Sequence, residues 1–195
     1  MKNKNDDSEK RSFFRVNDII SVVANPVNLM SESDRQVIKN NASSQAFPLF
    51  EANDLPHSDE DTEIPDSPGD GKIYEMLQEM KAKLDFLINH LLVEKEGLLS
   101  TEKKMVNISA SGVRFTVNHP VREKDVMEIK LLLPTYPPVA VFAYGEVIRA
   151  RKMDDNTYEV ALEYINMGET VKNKIIQYTL NHQRETIKKM KESGK

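Results

Sequence analysis

The chain has 195 residues, enough for one ordinary domain with an addition or for two small domains. It contains no cysteine, which excludes disulfides, cysteine nucleophiles and thiolate metal sites, and its four histidines lack zinc-ligand spacing. A net charge of −4 at pH 7 argues against bulk binding of nucleic acid. No apolar run approaches the ~18–20 residues that cross a bilayer, and the charged start at residues 1–9 lacks the apolar core of a signal peptide. We therefore expect a soluble, cytoplasmic protein with no membrane span.

The first 45 residues combine a basic and aromatic cluster with two short predicted elements. The cluster Lys10-Arg11-Ser12-Phe13-Phe14-Arg15 precedes residues 18–24, whose β-branched side chains predict a strand. Ser31 followed by Asp34 is typical of a capping box and predicts a short helix over residues 32–42.

Residues 46–71 differ in composition from the segments on either side. They contain four prolines, eight acidic residues and no lysine or arginine. Such a segment offers too little apolar surface to offset the entropy of ordering it, so we expect a linker or a disordered segment. The alternative is an acidic surface loop that binds a partner.

Residues 72–99 carry the strongest periodic pattern, which predicts a helix with an apolar heptad stripe. The stripe consists of Ile73, Leu77, Met80, Leu84, Leu87 and Leu91. The helix either packs on its own domain or associates with copies of itself, and we favour self-association because the acidic segment separates it from any local core. Met76 and Ile88 widen the stripe, which favours three or four helices over a pair.

From residue 103 onward the pattern predicts mainly strands. Residues 105–117, 126–133, 139–151 and 158–164 are strand candidates separated by turn-forming segments. Consecutive short strands without helices between them indicate an antiparallel sheet or a small barrel. Residues 169–191 then predict an amphipathic helix with a basic end.

No catalytic arrangement, glycine-rich phosphate loop or metal site can be found, so we expect a protein that is not an enzyme. Two clusters can bind a small anion. Arg11 and Arg15 offer planar guanidinium groups that fit phosphate oxygens or the O6 and N7 edge of guanine. Asn107 and Ser109 lie on one strand face because the side-chain period is two, and Gly112 allows a ligand to approach the backbone.

Either cluster alone is a weak signal, but the combination resembles the paired signature of the PilZ domain family. The resemblance covers residues 10–25 and 103–180, and Ala143-Tyr-Gly-Glu-Val-Ile-Arg149 is similar to a strand of that family. It implies a six-stranded antiparallel β-barrel followed by a C-terminal helix. It also implies binding of cyclic di-GMP, a bacterial second messenger, with no further cofactor.

Carried over from the family, Arg11 and Arg15 would grip phosphates and guanine bases, with Lys10 and Ser12 in secondary roles. Asn107 and Ser109 would contact a guanine edge, and Gly112 would allow close approach. The family often has aspartate at the position of Asn107, whose amide supplies no full negative charge, so we expect altered affinity. Many members have arginine at the position of Lys10, which leaves open whether one or two ligand molecules bind.

The chain departs from the usual family member by a long insertion. Residues 1–24 would hold the first motif and first strand, 25–104 the insertion, 105–166 the rest of the barrel, and 167–195 the C-terminal helix. Loop-closure entropy grows slowly with length, so the barrel tolerates such an insertion. The arrangement resembles a subgroup that tetramerises through inserted heptad helices, some of whose members have lost the ligand motifs; this sequence retains both.

Three functions compete. The first is a non-enzymatic receptor for cyclic di-GMP that is oligomerised by residues 72–99 and acts on an unknown downstream protein. Titration with cyclic di-GMP tests it. The second is an oligomeric scaffold of the same family that does not bind the nucleotide. The third is a nucleic-acid module with Phe13 and Phe14 as stacking platforms, which the acidic net charge disfavours.

Overall fold

The computed structural model describes residues 13–29, 31–49, 70–154 and 156–193. These residues form seven strands and three helices. In chain order the elements are β1 (Val16–Pro26), α1 (Glu32–Asn41), β2 (Gln45–Pro48), α2 (Asp70–Lys95), β3 (Lys103–Ser109), β4 (Gly112–Val117), β5 (Val126–Leu133), β6 (Val139–Asp154), β7 (Thr157–Ile165) and α3 (Glu169–Ser193).

Six of the strands close into an antiparallel barrel, which confirms the predicted fold. The order around the barrel is β6-β5-β1-β3-β4-β7, and the pairing of β7 with β6 closes it. Strand β6 is long enough for two partners: residues 139–146 pair with β5, and residues 144–154 pair with β7. Because the extended backbone of each strand is pleated, successive side chains alternate between the interior and the outer face.

The barrel interior is a single apolar core. Its fully buried members come from all six strands of the barrel and include Ile20, Val106, Ile108, Val113, Met127, Ile129, Leu131, Val141 and Leu162. Helix α3 packs Val171, Ile175 and Tyr178 into the same core. The side chains that alternate with these core residues along a strand lie on the outer face of the barrel.

The prediction for residues 46–71 was wrong at its beginning. Residues 45–48 form β2, which pairs with residues 139–142 of β6, and the Leu49 N–H donates to the Pro138 carbonyl at 2.7 Å. The Phe47 ring meets the Phe142 ring edge-on at 5.4 Å between centroids. These apolar contacts, with the edge of residues 139–142 that does not face β5, order a segment that its composition alone did not favour. The prediction was also wrong at its end, because residues 70 and 71 begin α2; residues 50–69 lie outside the described residues.

Residues 105–117 are two strands, where we predicted one. β3 and β4 are joined by a two-residue turn at Ala110 and Ser111, and Ser109 pairs directly with Gly112. The turn itself contains neither proline nor glycine, because Gly112 is already the first residue of β4. The sequence therefore gave no signal that separates the two strands. This extra strand completes the six-stranded barrel.

Helix α1 begins with the predicted capping box. The Asp34 N–H donates to Ser31 Oγ at 3.2 Å, and the Ser31 N–H donates to Asp34 Oδ2 at 2.9 Å. Each bond satisfies a backbone donor that the first helical turn leaves without an intrahelical acceptor.

Helix α2 ends at Lys95, four residues before the predicted end, because a glycine cap terminates it. Gly97 has a φ of 73°, and the Leu98 N–H donates to the Val93 carbonyl at 3.1 Å. The Gly97 N–H donates to the Glu94 carbonyl at 2.9 Å, which completes a Schellman motif. Val93 and Leu98 are fully buried against Ala140 of β6, so this end of the helix is packed on the barrel.

An ion pair reinforces the same junction. The Lys130 side chain on β5 is only 6% exposed and contacts the carboxylates of Glu96 and Glu128. Burial lowers the pKa of Lys130, but the hydrogen bonds and negative charges of the two carboxylates outweigh it and raise the pKa above its ordinary value. Lys130 therefore stays charged and ties the exit of α2 to the barrel wall.

Candidate functional site

The two sequence motifs converge where β1 and β3 lie side by side. Asn17 and Asn107 are direct cross-strand partners, and Asn107 Nδ2 donates to Asn17 Oδ1 at 2.8 Å. Arg15 Nη1 donates to Asn107 Oδ1 at 3.4 Å, a long hydrogen bond across 92 positions of sequence. The antiparallel register thus brings one guanidinium of the first motif onto the amide of the second, on the outer face of the barrel.

Ser109 shares the face of Asn107 but is fully buried. Its hydroxyl donates to the Gly112 carbonyl at 3.2 Å and shares a hydrogen bond with Ser111 Oγ at 3.1 Å. These bonds give Ser109 a role in fixing the β3–β4 turn. Its predicted contact with a ligand stays a prediction.

Gly112 is required by strand packing. A Cβ atom at this position would lie 2.1 Å from the Leu162 carbonyl oxygen of β7, far inside van der Waals contact. The backbone that approaches Gly112 most closely is therefore that of the neighbouring strand. Close approach of a ligand at this glycine stays a prediction.

The other residues of the first motif, Lys10, Arg11 and Ser12, lie outside the described residues. Phe13, which begins the described segment, lies with its ring 5.2 Å from the Lys172 ammonium on α3. This cation–π contact attaches the segment that carries Arg15 to the C-terminal helix. Phe14 is 62% exposed.

Helix α3 is also attached to β1 next to the converging motifs. Asp18 accepts a hydrogen bond from the Tyr178 hydroxyl, and His182 Nε2 lies 3.6 Å from Asp18 Oδ2. Burial, together with the hydrogen bond to Asp18 and the charge of Asp18, raises the pKa of Tyr178 well above its ordinary value. The strand residue next to Asn17 is thus held by the C-terminal helix.

Two residues of this region were missed by the sequence analysis. Asn17 binds Asn107, and Arg114 on β4 is the cross-strand partner of Asn107 on its other side. Asn17 comes two residues after Arg15, and Arg114 comes two residues after Gly112. The two-residue period of strands was the signal that could have identified both.

The second candidate surface is the apolar stripe of α2. All six predicted heptad residues are between 54% and 64% exposed: Ile73, Leu77, Met80, Leu84, Leu87 and Leu91. Met76 and Ile88, at 59% and 47%, widen the same stripe. Large contiguous apolar patches are rare on soluble monomers, which makes this stripe a candidate interaction surface.

Within the described part of the chain, none of the helices combines the length and apolar character needed to span a bilayer. The same residues contain no cluster of three or more histidine, aspartate or glutamate side chains able to hold a metal ion.

Residues 83–181, just over half of the chain, match the family model of the PilZ domain. The match begins within α2 and includes the second motif; Arg15 and β1 lie before it. No curated protein matches the chain.

Among solved structures, the chain resembles a pathogenic protein from Xanthomonas campestris, described as a new tetrameric PilZ domain that self-assembles through an unusual helical bundle. The identity is 16%, the TM-score is 0.50, and the alignment covers 90% of this chain and 91% of that one. At this identity the likeness concerns the fold.

Proposed function

Because the chain belongs to the PilZ domain family, we propose that it is a non-enzymatic receptor for cyclic di-GMP. PilZ domains are generally receptors for this dinucleotide. The observation that carries the proposal for this chain is the contact of Arg15 with Asn107, which brings the two ligand motifs together on the outer face of the barrel.

The chemistry of the converging groups suits a guanine nucleotide with two phosphates. The Arg15 guanidinium is exposed, and its hydrogen bond to Asn107 is long at 3.4 Å, so it can turn towards a phosphate or stack on a base. Asn107 offers both an amide donor and a carbonyl acceptor to a base edge. Arg11 would supply the second guanidinium, with Lys10 and Ser12 beside it, and Ser109 and Gly112 would shape the edge of the site.

We also propose that copies of the chain associate through the α2 stripe, most simply as a tetramer. The stripe is apolar and exposed along five turns of helix, and its width suits a bundle better than a two-stranded seam. The tetrameric assembly described for the Xanthomonas protein supports this choice. Each barrel would then present its own ligand site to an unidentified downstream protein.

Isothermal titration calorimetry with cyclic di-GMP tests the receptor function. We expect binding by the wild-type protein and a loss of about tenfold or more in affinity for Arg15→Ala, because a charge-assisted contact is worth about 1.5–3 kcal/mol. The matched control is Arg122→Ala, which removes an exposed arginine in the loop between β4 and β5.

Two outcomes contradict the proposal. Equal affinity of the wild-type protein and Arg15→Ala would remove Arg15 from the site. Absence of heat and of thermal stabilisation by the ligand, with a stable oligomer in sedimentation, would favour the alternative function, an oligomeric scaffold that does not bind the nucleotide. The full burial of Ser109 is the observation that favours this alternative function.

A further inference from the structure

The site around Asn107 continues across the outer face of the barrel. The strand registers place Asn17, Asn107, Arg114, Ala161 and Arg149 side by side on β1, β3, β4, β7 and β6. We call these five residues the cross-barrel row. Neighbouring strands lie about 4.8 Å apart, so the row is about 19 Å long when measured around the curved barrel wall.

Arg114 is the member of the row that follows Asn107. Both of its chain neighbours, Val113 and Phe115, are buried in the barrel, so the Arg114 side chain lies on the outer face, and it is 40% exposed. Directly opposed residues on antiparallel strands have Cβ atoms about 4.5–5.5 Å apart. A small ligand held by Asn107 is therefore within reach of the Arg114 guanidinium.

The Glu159 carboxylate holds Arg114 loosely. Arg114 Nη1 lies 3.7 Å from Glu159 Oε1, and Arg149 Nη2 lies 3.9 Å from Glu159 Oε2. Charge-assisted hydrogen bonds are about 2.7–2.9 Å long, so neither guanidinium forms a tight pair with Glu159. Two arginines share one negative charge, which leaves the group with a net positive charge.

Ala161 lies between the two arginines in the row and carries only a methyl group. Arg149 is separated from Asn107 by two strands, whereas Arg114 is its immediate neighbour. Of the two guanidiniums, Arg114 is thus the one placed to contact a ligand at Asn107.

We propose that Arg114 is a further ligand-binding residue, which contacts a phosphate of the nucleotide, and that Glu159 competes with the ligand for it. This inference rests on the proposed function. When the site is empty, Arg114 lies against Glu159; when the dinucleotide binds, the guanidinium turns to the phosphate, whose oxygens match its planar fork. Arg149 then remains with Glu159 and keeps that carboxylate neutralised.

The test is a double-mutant cycle measured by calorimetric titration with cyclic di-GMP. We expect Arg114→Ala to raise the Kd about ten- to a hundredfold, the effect of losing one charge-assisted contact. Arg114→Lys should lose less, because it retains the charge without the fork. Glu159→Gln, which preserves shape, should lower the Kd several-fold because it removes the competing charge, and this gain should vanish in the Arg114→Ala background.

The control is Arg184→Ala, which removes an exposed arginine from α3 and should leave the Kd unchanged. Melting temperatures of all variants show whether the barrel is intact. If Arg15→Ala weakens binding and Arg114→Ala does not, this inference is overturned while the proposed function stands. If Glu159→Gln tightens binding equally with and without Arg114, the competition is refuted. If the wild-type protein does not bind, both fail together.

Discussion

The ion pair at Lys130 allows a quantitative test of how α2 is attached to the barrel. The perturbation is the double substitution of Glu96→Gln and Glu128→Gln, which keeps the shape of both side chains and removes both negative charges. The Lys130 ammonium, 6% exposed, then remains buried without a counter-charge. The glutamine amide oxygens can still accept hydrogen bonds from the ammonium, and the centroid of the Phe142 ring lies 5.9 Å away, but neither supplies a negative charge.

The expected cost follows from the burial of the three groups. Leaving one member of a buried ion pair without its partner typically costs about 3–5 kcal/mol. Glu96 and Glu128 are 29% and 36% exposed, so solvent screens part of the interaction, and we take the low end, about 3 kcal/mol. For a chain of this size that corresponds to a fall in melting temperature of about 6–12 °C.

The matched variant is Lys130→Met, which removes the buried charge and keeps most of the apolar stem. Because the ammonium carries a desolvation cost of its own, we expect Lys130→Met to change the free energy of unfolding by less than about 1 kcal/mol. Thermal denaturation followed by circular dichroism, at one fixed protein concentration, compares the variants. A larger loss for Lys130→Met than for the double glutamine variant would refute the reasoning.

Three further predictions concern other parts of the molecule. Leu84→Glu places a charge in the middle of the α2 stripe and should reduce the mass measured by light scattering towards that of a monomer. Asn89→Glu, outside the stripe, should not reduce the mass. Equal masses for the two variants would contradict association through the α2 stripe. Gly112→Ala places a Cβ 2.1 Å from the Leu162 carbonyl oxygen and should lower the free energy of unfolding in urea by about 1–3 kcal/mol. The control is Gly168→Ala, whose added Cβ would lie 3.6 Å from Ser44 Oγ and should leave the free energy of unfolding nearly unchanged. An equal effect of the two substitutions would show that β7 moves away easily. The raised pKa of Tyr178 means that its contribution to stability is complete below about pH 10, the ordinary tyrosine value, and is lost as the pH rises towards the folded-state pKa. Tyr178→Phe should therefore unfold at a lower urea concentration at pH 7 and lose stability less steeply above pH 10. If the variant lost stability above pH 10 as steeply as the wild-type protein, the assignment would be wrong.

Local sequence signals predicted the elements whose stability is local. The capping box at Ser31 and Asp34 placed α1, because the two hydrogen bonds involve neighbouring residues. The heptad pattern predicted α2 correctly because its apolar residues repeat within one helix, without reference to distant parts of the chain. The same signals failed at β2, where a distant part of β6 supplies the contacts, and at Ala110-Ser111, where a tight turn interrupts an apolar run.

The candidate site could be predicted only in part for a related reason. Arg15 and Asn107 were identified from motifs, and the β1–β3 register brings them together. The neighbours Asn17 and Arg114 depend on which strand lies beside which, and that order is set by barrel closure over long sequence distances. Sequence alone likewise gave no sign that Ser109 would be fully buried by its own turn.

The Schellman cap at Gly97 has a mechanical consequence. With Val93 and Leu98 buried beside it, the C-terminal end of α2 is fixed to the barrel wall, and the helix is an arm attached at that end. Ile73 lies about 30 Å along that arm from Val93. If copies of the chain associate through α2 as proposed, the angle at which these arms cross would set the distance and orientation between barrels, and a twist applied to one barrel would pass into the junction.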